Sequence, residues 1–141
     1  AMAAFAHHEL EVEWRFQGPL PGSGPAPRQR WSFVGGSGTL PTFDIARFQG
    51  DHLAFVETTF VVPLPGPRFP LAGPPRLHLV HAAGMAWTAD SARALEQNLA
   101  LELHALALRL RVVVHPRDPA GTLEADLGLT WPIRRRRPWH P

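Results

Sequence analysis

Histidine is the residue type in this chain best suited to chemistry: the 141 residues include 8 histidines and no cysteine. Neutral imidazole is a common metal ligand and proton carrier near pH 7, so the spacing of these residues decides what they can do. His78 and His81 stand three apart, which on a strand points them to opposite faces, and adjacent His7 and His8 diverge in the same way. A metal site from His52, His78 and Asp51 would need separate strands to converge, so no metal site is assigned. His104 lies off the apolar stripe of its segment and reads as solvent-facing.

The nucleophile and phosphate motifs fail on particular residues. Gly35-Gly36-Ser37-Gly38-Thr39 has Thr39 where a nucleophile elbow needs its second glycine, and no helix follows. A phosphate-binding loop needs a lysine, and the sequence contains none. Pro41 stands where a dinucleotide fingerprint has its third glycine. His8-Glu9-Leu10-Glu11-Val12 lacks the second histidine of a zinc-protease helix and alternates like a strand. The absence of cysteine excludes thiolate catalysis, cysteine-bound zinc and iron-sulfur clusters. No catalytic residue and no cofactor are therefore assigned, and the expectation is a protein that is not an enzyme. A small hydrolase or isomerase using His52, His81 or His115 with Asp51 or Glu57 would require three of these side chains in one pocket.

The strongest local signal is Arg134-Arg135-Arg136-Arg137, flanked by Trp131 and Trp139. Guanidinium groups neutralise phosphates and release counterions, and indoles stack on bases, so these six residues are the candidate nucleic-acid or anion-binding set. The competing reading is a solvated end that pairs with acidic protein surface. The formal net charge is only +2. Without the four tail arginines the chain is slightly acidic, so no basic groove continues from the tail. The sequence pI of about 10.9 reflects the absence of Lys, Tyr and Cys, which leaves little to titrate between His and Arg.

Positioning any of these residues falls mainly to strands. Residues 9–16 alternate strictly, placing Leu10, Val12, Trp14 and Phe16 on one face. Residues 28–34 alternate again after a proline- and glycine-rich stretch, which predicts a long-looped hairpin with Arg28 and Arg30 beside Glu9, Glu11 and Glu13. Trp14, Phe16, Trp31 and Phe33 read as core aromatics. Residues 51–62 form a strand apolar on both faces, either central or at a subunit interface. Proline-rich residues 63–75 make a stiff connector, and 76–81 a short strand. Ala92, Leu95, Leu99, Leu103, Leu106 and Leu110 recur at helical steps, predicting one helix over about residues 89–106 packed on the sheet. Alternation resumes in residues 108–114 and 123–131, a terminal hairpin with Arg111 near Asp126.

The length suits one domain. The expected fold is α+β: a strand-rich antiparallel sheet or partly closed barrel packed against one helix, with residues 1–133 as the domain and 134–141 as a basic tail. No apolar run reaches the roughly 18–20 residues of a helical membrane span, so no membrane partner is expected and the cytoplasm is the default location. The functional expectation is a non-enzymatic binding or assembly module that forms homo-oligomers and offers its arginine tail to an acidic partner. The alternatives are a nucleic-acid-binding protein using that tail, and the small hydrolase or isomerase above.

Overall fold

Alternation of apolar and polar residues is clearest at residues 9–16 and 108–112 of the computed structural model, which describes residues 8–129 apart from 21, 23, 37, 67–72 and 92–93. Among the described residues eight strands form in chain order: β1 (Glu9–Gln17), β2 (Ser32–Val34), β3 (Phe48–Gly50), β4 (His52–Pro63), β5 (Arg76–Trp87), β6 (Glu96–Ala105), β7 (Leu108–Val114) and β8 (Glu124–Leu129). Six make one antiparallel sheet in the order β1-β4-β5-β6-β7-β8, and β2 pairs with β3 in a separate ribbon. The six-stranded sheet is open, so β1 and β8 are its edges.

The residues best able to bury area meet where the ribbon lies across β4 and β5. Val34 and Leu40, both fully buried, pack with Leu53, Phe55 and Ala82, and Phe43, Phe48 and Ala86 close over them. Two glycines permit that approach. A Cβ at Gly84 would meet the Phe55 ring at 3.0 Å and Val34 at 3.3 Å, and one at Gly50 would collide with the Trp87 backbone. Buried Asn98 of β6 bonds Thr42 of the ribbon loop at 2.7 Å, tying that loop to the sheet.

The strand-rich antiparallel expectation holds, but the helix does not. Residues 96–105 are strand β6, paired with β5 on one side and β7 on the other. Among the described residues the helical element is a single 3-10 turn, Arg28–Arg30. Leu99 and Leu103 of the helical stripe also satisfy a period of two, and Leu101 between them, which was outside that stripe, points to the same face of the strand. Pairing along both edges outweighs the helix propensity of the Ala, Leu and Glu in this segment. The turn between β6 and β7 places Leu106 at a left-handed φ of 58°.

The predicted hairpin of residues 9–16 with 28–34 is also corrected. β1 pairs instead with β4 in the register Glu13↔Glu57, and Arg28 lies over the Trp31 ring at 5.5 Å. The strand predicted at 51–62 is central, between β1 and β5. The strand predicted at 76–81 continues to Trp87. Arg111 and Asp126 are register partners, as the terminal hairpin required.

Candidate functional site

Register partners in a sheet share a face, so the pairings sort every strand residue onto one of two sides. One side collects Leu10, Val12, Trp14 and Phe16 of β1 with Val56 and Phe60 of β4. It continues through Leu77 and Leu79 of β5, then Leu99, Leu101 and Leu103 of β6. Leu108, Leu110 and Val112 of β7 and Leu127 and Leu129 of β8 complete it. No strand residue on this side is acidic or carries a guanidinium; His52, Thr58, His81 and Gln97 are its polar interruptions, and His81 Nε2 lies 3.1 Å from Gln97 Oε1.

This apolar side faces outward. Trp14 is 74 % exposed, Phe16 68 %, Leu127 72 % and Leu129 82 %. Nearer the centre, Leu99, Leu101 and Leu110 remain at 44–45 %. The largest apolar patch on a typical monomer covers about 300–600 Å², and here exposed apolar side chains recur on all six strands of the sheet. A shallow apolar groove of about 470 Å³ runs along its middle, lined by Phe60, Leu79, Leu99, Leu101, Val112 and Val114 among others. Trp14, Phe16 and Phe33, expected in the core, lie on the surface instead.

The opposite side holds both the packed core and the charges. Arg111 Nε meets Glu102 at 3.0 Å, Arg109 reaches Asp126 at 3.4 Å, and His104 Nε2 lies 2.9 Å from Glu102. His104 is therefore partnered and partly covered rather than solvent-facing, with its ring stacked on His78 at 4.2 Å between centroids. Burial, then the neighbouring His104, lowers the pKa of His78. Burial and the facing Glu13 raise that of Glu57, against the opposing pull of Arg111.

The histidines considered for catalysis separate. His52 Nδ1 pairs with its neighbour Asp51 at 2.7 Å, and its ring stacks on Trp87. His115 Nε2 lies 3.1 Å from Glu96, and His81 sits on the apolar side. Glu57 lies in the charged face and joins none of them by a hydrogen bond or ion pair. His52 and Asp51 border a cleft with Trp31 and Thr88, but His78, the third member of the conjectured metal set, is not part of its lining. Among the described residues no group of three or more His, Asp or Glu is arranged to hold a metal ion.

Trp131, Arg134, Arg135, Arg136, Arg137 and Trp139 lie outside the described residues, as does Ser37. Sequence reasoning missed the apolar face as a surface. Its signal was present in the alternation of residues 9–16 and 108–114, but period two shows that a strand has two sides without showing which is covered. Among the described residues no helix is long and apolar enough to cross a membrane, a statement about helices alone. No protein-family model matches the chain, and no curated protein or solved structure matches it.

Proposed function

We propose that this chain is a non-enzymatic assembly module that self-associates by burying the apolar face of its sheet against the same face of a second copy, with the Arg134–Arg137 tail offered to an acidic partner. The observation that supports this reading is the exposed leucine and aromatic surface running from β1 to β8 while the ion pairs occupy the other side. Stacked sheets pack about 10 Å apart with interdigitated side chains. A two-fold arrangement brings one patch against itself and closes the assembly.

The test is sedimentation equilibrium of the full chain at micromolar concentration, beside Leu101→Arg and Leu110→Arg. The expected wild-type mass is twice 15.6 kDa, with both variants shifted to the single-chain mass. A wild type that remains strictly monomeric in plain buffer sinks the reading.

A second reading, in which the acyl chains of a bilayer cover the same face, is favoured by strand length and alternation together. β1, β4, β5 and β6 run 9, 12, 12 and 10 residues, against the roughly 9–11 that a tilted strand needs to cross hydrocarbon. Lipid-facing strands alternate apolar-out and polar-in, as β1 does in full and β4 and β5 do not, since Leu53, Phe55, Val61 and Ala82 are buried on their other face; such strands also carry aromatic residues toward the interface, where Trp14 and Phe16 end the β1 row. Hydrocarbon leaves no water for an open edge, so this reading also requires β1 and β8 to be paired. Vesicles with brominated acyl chains separate the two: quenching of tryptophan emission favours lipid, and a doubled mass without quenching favours the second copy.

A further inference from the structure

The outer edge of β1 carries an unbalanced row of charge. Glu9, Glu11 and Glu13 occupy alternate positions, about 7 Å apart along the strand, and share a face with their register partners Val61, Thr59 and Glu57. The one ionisable side chain set against the row from β4 is thus a fourth acid. Arg15 holds Glu13 at 2.7 Å and Arg76 approaches Glu9 at 3.9 Å. Among the described residues Glu11 and Glu57 take part in no ion pair.

Elsewhere the same sheet shows what neighbours an acidic row. Strand β7 alternates Leu108, Arg109, Leu110, Arg111 and Val112, and lies between Glu102 of β6 and Asp126 of β8. Its arginines pair with those two acids at 3.0 and 3.4 Å, while its leucines continue the apolar face. β1 has an acidic row and an apolar row of the same kind, and among the described residues it has a strand on one side only.

We infer that β1 is a docking edge for an added strand that alternates apolar and basic residues. The partner's basic side chains lie opposite Glu9, Glu11 and Glu13, and its apolar ones extend the row of Leu10, Val12 and Trp14. Main-chain hydrogen bonds supply affinity in such strand addition, and the two side-chain rows supply specificity. Charge rules out the edges of a second copy as the occupant. An antiparallel second β1 would set glutamates against glutamates, and a second β8 would bring Glu124 and Asp126 to the same row. Charge thus selects a basic, strand-forming segment, and the occupant inferred is one supplied by another polypeptide. The inference rests on the reading of the chain as an assembly module, but it uses the sheet edge and not the apolar face, so the two can fail separately.

The test is fluorescence anisotropy of a labelled peptide with the sequence of β7, Leu-Arg-Leu-Arg-Val-Val-Val, titrated with the full chain. The expected result is saturable binding that weakens about tenfold or more between about 0.05 M and about 0.5 M salt. Binding should weaken similarly when Glu9, Glu11 and Glu13 are all replaced by Gln. A peptide with Glu in place of Arg should not bind, and Leu101→Arg, which alters the apolar face, should bind as wild type does. A circular dichroism spectrum matching wild type shows that the triple Gln variant keeps its fold. Absence of saturable binding, equal binding by the triple variant, or equal binding of the Glu peptide overturns the inference; equal binding of that peptide would mean capture by the apolar face alone.

Discussion

Glu13 and Glu57 are register partners across β1 and β4, two acids side by side on the polar face of the sheet. Cβ atoms in such a pair lie about 4.5–5.5 Å apart, and like charges there are destabilising. Burial and the Glu13 charge raise the Glu57 pKa above its ordinary 4.5. In the window above 4.5 the folded state holds more protons than the unfolded one, so stability falls as pH rises through it. Glu57→Gln removes that loss. At pH 7 the variant is expected to be more stable than wild type by about the size of a cross-strand charge pair, roughly 0.2–1 kcal/mol, with the advantage gone well below pH 4.5. Urea unfolding at the two pH values measures it, and a gain that persists in acid would locate the effect in packing instead.

The histidine stack works in the opposite direction. His78 and His104 lie 4.2 Å apart between ring centroids, and burial followed by His104 lowers the His78 pKa below 6.5, against the upward pull of Glu102 and Glu11. The unfolded chain then binds a proton that the folded chain resists, so stability falls as pH drops below 6.5. Replacing His78 with Gln is expected to flatten the dependence of Tm on pH between about 7 and 5. An unchanged slope would mean that other groups carry the acid sensitivity.

The legible and illegible parts of this fold divide at particular residues. The strand at 9–16 was readable because Glu9, Glu11 and Glu13 interrupt Leu10, Val12 and Trp14 without exception. The segment around Leu101 was not. Leu95, Leu99 and Leu103 fit a helix stripe, and Leu101 alone decides against it: on a helix it would point away from that stripe, whereas on a strand it joins Leu99 and Leu103. The partner of β1 was equally hidden, since both 28–34 and 51–62 read as strands and register depends on which sheet each one joins. Covering is a tertiary fact, because the ribbon that buries Leu53 and Phe55 is closed through Leu40 and Phe43, which lie in a loop with no periodic pattern.

Leu106 offers a local test of the β6–β7 hairpin that replaced the predicted helix. A left-handed residue other than glycine costs roughly 1–2 kcal/mol, and Leu106 has φ 58° with half of its surface exposed. Leu106→Gly is expected to stabilise the fold by about 1 kcal/mol in chemical unfolding. A stability that is unchanged or lowered would mean that the left-handed turn carries no strain.

The two faces of the sheet make opposite predictions for the same kind of truncation. Leu40 is fully buried among Val34, Leu53, Phe55 and Ala82 on the charged side, so Leu40→Ala is expected to cost about 2–5 kcal/mol whatever the protein concentration. Leu101, 45 % exposed on the apolar side, has its register partners Leu79 and Val112 beside it on the same open face. Leu101→Ala should cost well under 1.5 kcal/mol in dilute solution, yet weaken whatever association covers that face, so its effect grows with concentration. Denaturant unfolding across a hundredfold range of concentration measures both. A Leu101→Ala cost equal to that of Leu40→Ala at the lowest concentration would mean that the apolar side is already packed within the single chain, with no exposed apolar face left to associate.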